Sequence, residues 1–313
     1  MESPKTTPKD FFLWAGAMVA LYGGVVAFIA LVFDYINYSF PDPLQYYYAD
    51  PYQSISYEMA ALIVLAPVLL LLMRVIRRDI ARDPSRSELW VRRWALFLTV
   101  FIAGATIVID LITLLTTFLS GEDLTARFLL KVLVVLLVAG AGFLHFLADL
   151  WGYWVKNPAY ARYINWAVAL LIVLTVLAGF FIVGTPGQAR QYRVDEQRVQ
   201  DLQNIQSQIT YFYQQKQALP SALSQLNDPL QYFTMPIDPE TGAAYGYQKT
   251  SGLGFRLCAT FAVEGRGSLG TGRAMMAEPY GPGKYMSDNW EHGVGEVCFD
   301  RAIDPDFYPP LTR

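Results

Sequence analysis

The sequence predicts an α-helical membrane bundle of five transmembrane helices followed by a small exported α+β domain. Three observations predict it. Apolar residues make up 54% of the 313 and charged residues only 16%, with the apolar excess concentrated before Thr185, a skew that a single soluble globule does not show. The run Ile164 to Val183 is apolar throughout; about twenty residues rising ~1.5 Å each span ~30 Å, the thickness of a bilayer's hydrocarbon core. Beyond the break Gly184-Thr185-Pro186-Gly187 the chain becomes polar and shows first helical, then strand-like patterning.

The organisation expected is a cytoplasmic tail at 1–10, a membrane domain at 11–185, a linker at 186–193 and an extracytoplasmic domain at 194–313. Phe11 to Phe33 is too long for a signal-peptide core and ends without a small-x-small cleavage site, so it reads as an uncleaved span. Gly16, Ala20 and Gly24 recur every fourth residue in it, the small-residue spacing of close helix packing in lipid. Asp34 to Tyr57 holds no Lys or Arg and is rich in tyrosine (Tyr35, Tyr38, Tyr46, Tyr47, Tyr48, Tyr52), which reads as a loop with an interfacial aromatic belt. The second span is expected at about 57–76, with a kink at Pro67. Arg74, Arg77, Arg78, Arg82, Arg86, Arg92 and Arg93 then crowd around one connection, which the positive-inside rule assigns to the cytoplasm. Spans three, four and five follow at about 94–119, 129–154 and 164–185, so the amino-terminal end lies inside and the polar third outside. The location expected is a bacterial cytoplasmic membrane.

In the polar third, Val199, Leu202, Ile205, Ile209 and Phe212 form one apolar stripe on an otherwise polar helix, a stripe that needs a surface to cover it, in packing or in a partner. A short helix from Leu219 to Leu226, a hairpin of Tyr245 to Lys249 with Phe255 to Val263, and a last strand at Glu296 to Ala302 complete the expected elements. Cys258 and Cys298 stand on two of those strands and read as a disulfide; closing a loop of about forty residues is worth roughly 4 kcal/mol in the chain-entropy model. Their place outside the membrane fits an oxidising compartment.

The set Asp201-Leu202, Ile205, Ile209, Tyr213, Leu219-Pro220, Leu223, Leu226, Pro236, Asp238-Pro239, Gly242, Tyr245 and Tyr247 resembles the soluble part of the major pseudopilin of type II secretion systems. That resemblance implies an amphipathic helix packed on a small antiparallel sheet. It does not extend to the leader or to the glutamate near the start of the apolar helix, which pseudopilins use for processing and rod assembly. The membrane half, through segments such as RRDIARDPSRSELWVRRW, resembles the bacterial domain of unknown function 5671 family, which implies no activity.

Charges within spans are functional suspects, since each costs ~3 kcal/mol or more at mid-depth. Asp110 and Lys131 read as an ion pair across the turn between spans three and four, with a proton or cation relay as the alternative. His145 and Asp149, one helical turn apart, share a face, and Asp149 is within range of the arginine cluster. Gly265-Arg266-Gly267-Ser268-Leu269-Gly270 has the spacing of a dinucleotide fingerprint but lacks the strand–helix context, and reads as a loop. His292 reads as a turn or core histidine; Asp288, Asn289, Glu291 and Asp300 carry oxygens but fit no defined calcium loop. A net charge of −3 argues against nucleic acid. With no catalytic constellation, no metal and no cofactor is expected and no enzymatic activity. The leading expectation is a lipid-embedded protein that displays a pseudopilin-like module to a protein partner, linked to an envelope assembly or pilus-like machine. The alternative is a small-molecule or ion transporter or sensor using Asp110, Lys131, His145 and Asp149.

Overall fold

The computed structural model describes residues 6–40, 51–227, 233–250, 252–265 and 289–309. The chain divides into two compact units, 1–183 and 184–313. The first contains α1 (Pro8–Ser39), α2 (Pro51–Arg82), a 3-10 turn at Pro84–Glu88, α3 (Trp90–Leu119), α4 (Ala126–Leu150), the single turn α5 (Tyr153–Lys156) and α6 (Pro158–Val183). The second contains α7 (Pro186–Lys216), a 3-10 turn at Leu223–Leu226, β1 (Gly246–Lys249), β2 (Gly254–Phe261) and β3 (Gly295–Ala302). Among the described residues five helices are long and apolar enough to cross a membrane, and a small helix-plus-antiparallel-sheet domain follows them.

The spanning helices run past the expected boundaries, for local reasons. At the start of α1, Thr7 and Asp10 form a reciprocal capping box with Pro8 in the first turn, satisfying backbone N–H groups that the helix leaves open. At its other end α1 continues through Asp34 and Tyr35 to Ser39, because Leu31 and Ile36 still find cover and the Tyr35 hydroxyl donates to the Thr175 carbonyl at 2.7 Å. The start of α2 lies outward of Tyr57 because Ile55, Met59 and Leu62, spaced four and three apart, are all buried on one face. Pro67 lies inside α2 without ending it. Gly152, at φ 70°, breaks α4 and turns the chain into α5.

Small residues bring α1 and α2 together. Ala17 and Ala20 are buried, and a Cβ on Gly16 or Gly23 would stand 3.4 and 3.1 Å from Leu72 and Leu65. Gly24, expected in that stripe, faces open space; Gly23 takes its place. Large apolar side chains point away from the bundle, Phe181 being 89% exposed, an arrangement that lipid rewards and water penalises.

In the second unit α7 starts from a Thr185–Gln188 capping box with Pro186 at its first turn, so the residues expected as a linker are helical. The sheet is antiparallel in the order β1-β2-β3. Val199, Leu202, Ile205, Ile209 and Tyr213 are buried with Phe255, Leu257, Phe261 and Phe299, and Phe212 packs at the edge of that cluster. The stripe is therefore consumed by the domain's own core. The expected helix from Leu219 is only a 3-10 turn at Leu223–Leu226, because the chain is extended up to Ala222 (φ −149°, ψ 153°) and turns only there.

Close approach of α6 to α2 makes Gly179 a sensitive position: a Cβ there would collide with the Met59 sulfur and lie 2.7 Å from the Tyr35 hydroxyl. Gly179→Ala is expected to destabilise the first unit by about 1–3 kcal/mol, read as a lower midpoint of thermal unfolding in detergent. Gly142→Ala, which meets nothing within 4 Å, leaves the midpoint unchanged or slightly raised.

Candidate functional site

The bundle's polar groups fall into two layers. At the end carrying the arginines, carboxylates and cations pair off: Lys9 with Asp79 at 2.6 Å, Arg86 with Asp10 at 2.9 Å and Arg92 with Asp149 at 3.4 Å. Asp149 thus meets the arginine cluster through Arg92. His145 is packed rather than poised: its ring lies 5.0 Å from Trp154, whose indole N–H donates to the His145 carbonyl at 2.9 Å. The fold-back of α5 after Gly152 brings that tryptophan into place.

The opposite layer is different. Asp34 near the end of α1 and Glu58 near the start of α2 are close enough for their carboxyl groups to act on one another electrostatically. Two ionised carboxylates offer only acceptors, so such a contact becomes a hydrogen bond only with a proton between them. Asp34 Oδ2, Glu58 Oε2 and Asp110 Oδ2 are shielded and have no hydrogen-bond partner among the described residues. The expected Asp110–Lys131 ion pair does not form: Asp110 lies nine residues before the end of α3, Lys131 only five into α4, and the two end at different depths. The Lys131 ammonium instead stands over the Phe33 ring at 5.3 Å, within electrostatic reach of Asp34 and Arg127. Arg127 donates to Asn37 Oδ1 at 3.0 Å. The sequence reading missed Asp34 and Glu58 by taking them as loop edges; the signal was two carboxylates flanking a connection with no basic residue to answer them. Of the tyrosines in that connection, Tyr46, Tyr47 and Tyr48 lie outside the described residues, while Tyr35 and Tyr38 belong to α1 and Tyr52 to α2.

The second unit holds a buried ion network that the sequence reading also missed. Arg198, 3% exposed, donates to Asp238 Oδ2 at 2.6 Å, Asp195 Oδ1 at 2.7 Å and Glu240 Oε2 at 2.9 Å. Asp195 also accepts the backbone N–H groups of Ala262 and Val263. The network ties α7 to the end of β2 and to the Asp238-Pro239 turn. The guanidinium, more than the backbone N–H groups of Thr241 and Glu240, holds the Asp238 carboxyl well below the usual carboxylate range. Beside it the Tyr245 hydroxyl donates to Asp201 at 2.7 Å, and burial pushes the Tyr247 phenol up to about 12. These contacts fasten α7 to the sheet and to the Asp238-Pro239 turn.

Cys258 and Cys298 are joined, at facing positions of β2 and β3 with Cα atoms 4.1 Å apart. Their sulfurs and the Glu296 carboxylate lie within 4.8 Å of one another. While the disulfide stands, the sulfurs carry no thiolate charge for a metal. His292 stacks on Phe261 with ring centroids 3.7 Å apart. Asp288 and the glycine-rich motif beyond Gly265 lie outside the described residues. Asn289 and Glu291 form a local turn, and Asp300 is held by Arg256 at 2.7 Å, so these three share no cation site.

Acid is expected to loosen the second unit through Asp238. Because its folded carboxyl sits below the unfolded value of ~3.9, its contribution is full above about pH 4 and is lost as pH falls below that. Arg198→Met, which strands buried carboxylates, should cost roughly 3–5 kcal/mol. Both are read by near-ultraviolet circular dichroism of the full-length protein during acid and thermal titration; an unchanged midpoint in Arg198→Met would contradict the assignment.

Residues 10–145 match the family described as Domain of unknown function (DUF5671). No curated protein and no solved structure matches the chain. The pseudopilin resemblance finds no support in these comparisons; what the second unit shows is a helix packed on a small antiparallel sheet. The family match ends at His145 and so takes in Asp34, Glu58, Asp110 and Lys131: what is shown is a multi-span membrane protein whose residues 10–145 are similar to that family's domain.

Proposed function

We propose that the membrane domain transports or senses a small cation, the proton first among them, through the polar layer formed by Asp34, Glu58, Asp110 and Lys131. The observation that carries this reading is the set of shielded carboxyl oxygens without a donor among the described residues. A carboxyl inside apolar helices is costly and persists where it serves a path or a switch. His145 and Asp149, which belonged to the same expectation, are engaged in packing and in an ion pair, so the working groups shift to the other layer. Asp34 and Glu58 exchange a proton or cation with the outer side, and Asp110, deeper in α3, is the next station. Lys131 supplies a positive charge that competes for Asp34 when the pair is empty.

We also propose that the arginine-rich connections face the cytoplasm of a bacterial cell and that residues 184–313 lie outside it. The arginine excess at one end of α2 and α3 supports this, and so does the disulfide in the second unit. The reading of the outer domain as a docking module for an envelope assembly loses its main support, since the apolar stripe on α7 is already covered.

The test is reconstitution of the full-length protein in liposomes loaded with a pH-sensitive dye, under imposed proton, sodium or potassium gradients. Wild-type protein is expected to dissipate at least one gradient faster than protein-free liposomes. Asp34→Asn and Glu58→Gln should each slow it about a hundredfold or more, the scale on which a positioned proton-transfer group acts, while His145→Ala leaves it intact. Equal leakage with and without protein, or full activity in both carboxyl variants, would overturn the reading.

A further inference from the structure

The outer face of the sheet carries a constellation that does not depend on the transport reading. Along β2, Phe255, Leu257, Ala259 and Phe261 are buried towards α7, so Arg256, Cys258 and Thr260 point to the other face. Along β3, Phe299 is buried, which sends Glu296, Cys298 and Asp300 the same way. Cys258 faces Cys298 across the ladder, and Glu296 is two residues from Cys298 on the same strand face. Glu296 and Cys298 are exposed. On the neighbouring strand, Gly246 stands opposite Cys258, and a Cβ there would come within 2.9 Å of the cysteine's own Cβ. A side chain is thus excluded beside the sulfur.

We propose that reduction of the Cys258–Cys298 disulfide turns this face into a zinc site with two thiolates and the Glu296 carboxylate as ligands. The three ligand atoms already lie within 4.8 Å of one another. Two ligands at alternate residues of one strand and a third from the facing position of its neighbour are held by a rigid sheet, leaving the fourth tetrahedral position for water. Arg256, a cation on that face, is paired with Asp300 through contacts of 2.7 and 3.1 Å. It does not neutralise Glu296. With zinc–sulfur bonds of ~2.3 Å the two sulfurs move to ~3.8 Å apart, a separation that side-chain rotation at facing positions supplies.

The chemistry balances with a dithiol as reductant. The dithiol gives two electrons and two protons, the S–S bond breaks into two thiols, and the reductant leaves as a disulfide. Zinc then binds as the two thiols release their protons to water. The sheet is cross-linked in both states, by a covalent bond when oxidised and by metal when reduced. The site is closed to metal while the disulfide stands, so metal occupancy reports the redox state around the second unit.

The experiment uses full-length protein in detergent, oxidised or reduced with a phosphine, titrated with cobalt(II) as a coloured probe and then with zinc. Reduced wild-type protein is expected to bind one cobalt per chain with thiolate-to-metal charge-transfer bands and tetrahedral d–d bands, both abolished by zinc. Oxidised protein should show neither. Glu296→Gln, which leaves both cysteines and the disulfide in place, should weaken cobalt binding by at least about tenfold, the loss that even an outer-shell partner causes. Cys298→Ser should remove the charge-transfer bands. Absence of a tetrahedral spectrum in reduced wild-type protein, equal affinity in Glu296→Gln, or binding that ignores the oxidation state would each overturn the proposal.

Discussion

A carboxyl or hydroxyl group inside hydrocarbon has no water to turn to, so it must find a partner within the bundle or remain unsatisfied at a cost of several kcal/mol. That constraint sorts the polar residues of the first unit. Threonines solve it within their own helix: the hydroxyls of Thr99, Thr106, Thr113, Thr116, Thr117 and Thr175 each donate to the carbonyl four residues earlier. Charged residues at the arginine-bearing end solve it by pairing, as Arg92 and Asp149 do. Asp34, Glu58 and Asp110 each keep a shielded oxygen that neither solution reaches. The function proposed for the membrane domain follows from those exceptions.

The second unit meets the same difficulty in a different solvent. Asp195 and Arg198 are almost wholly buried, yet their charge-assisted hydrogen bonds together join three parts of the domain: α7, the end of β2 and the Asp238-Pro239 turn. A network of this kind is fully satisfied or very costly, with little in between. It holds the α7 end of the sheet, while the disulfide joins the middle of β2 to β3 on the opposite face. The small core of Leu202, Ile205, Ile209, Leu257 and Phe261 lies between these two fastenings.

The five helices, the amphipathic stripe, the hairpin and the cysteine pair were all legible, because each rests on periodicity or composition over many residues. Positions of single polar groups were not. Asp34 looked like a loop because a charge after an apolar run is the ordinary sign of a span's end; cover for Leu31 and Ile36 and the Tyr35 bond to α6 keep the helix going. Asp110 and Lys131 looked like a pair because opposite charges flank one turn; the Lys131 ammonium instead stands over Phe33 of α1, a neighbour that sequence spacing does not reveal. Arg198 was invisible as one cation on a polar helix, since its three partners include two from forty residues away. Gly23 rather than Gly24 lines the α1–α2 contact for the same reason: small residues were evident, but the face they used was decided by the partner helix.

The carboxyl pair is most directly tested by infrared spectroscopy of the full-length protein in lipid. A proton held by Asp34 or Glu58 gives a carbonyl stretch distinct from that of a carboxylate. The account predicts that this protonated-carboxyl band persists at neutral pH and weakens in both Asp34→Asn and Glu58→Gln. A neutral-pH spectrum without the band, or one in which it survives both substitutions at full strength, would contradict it.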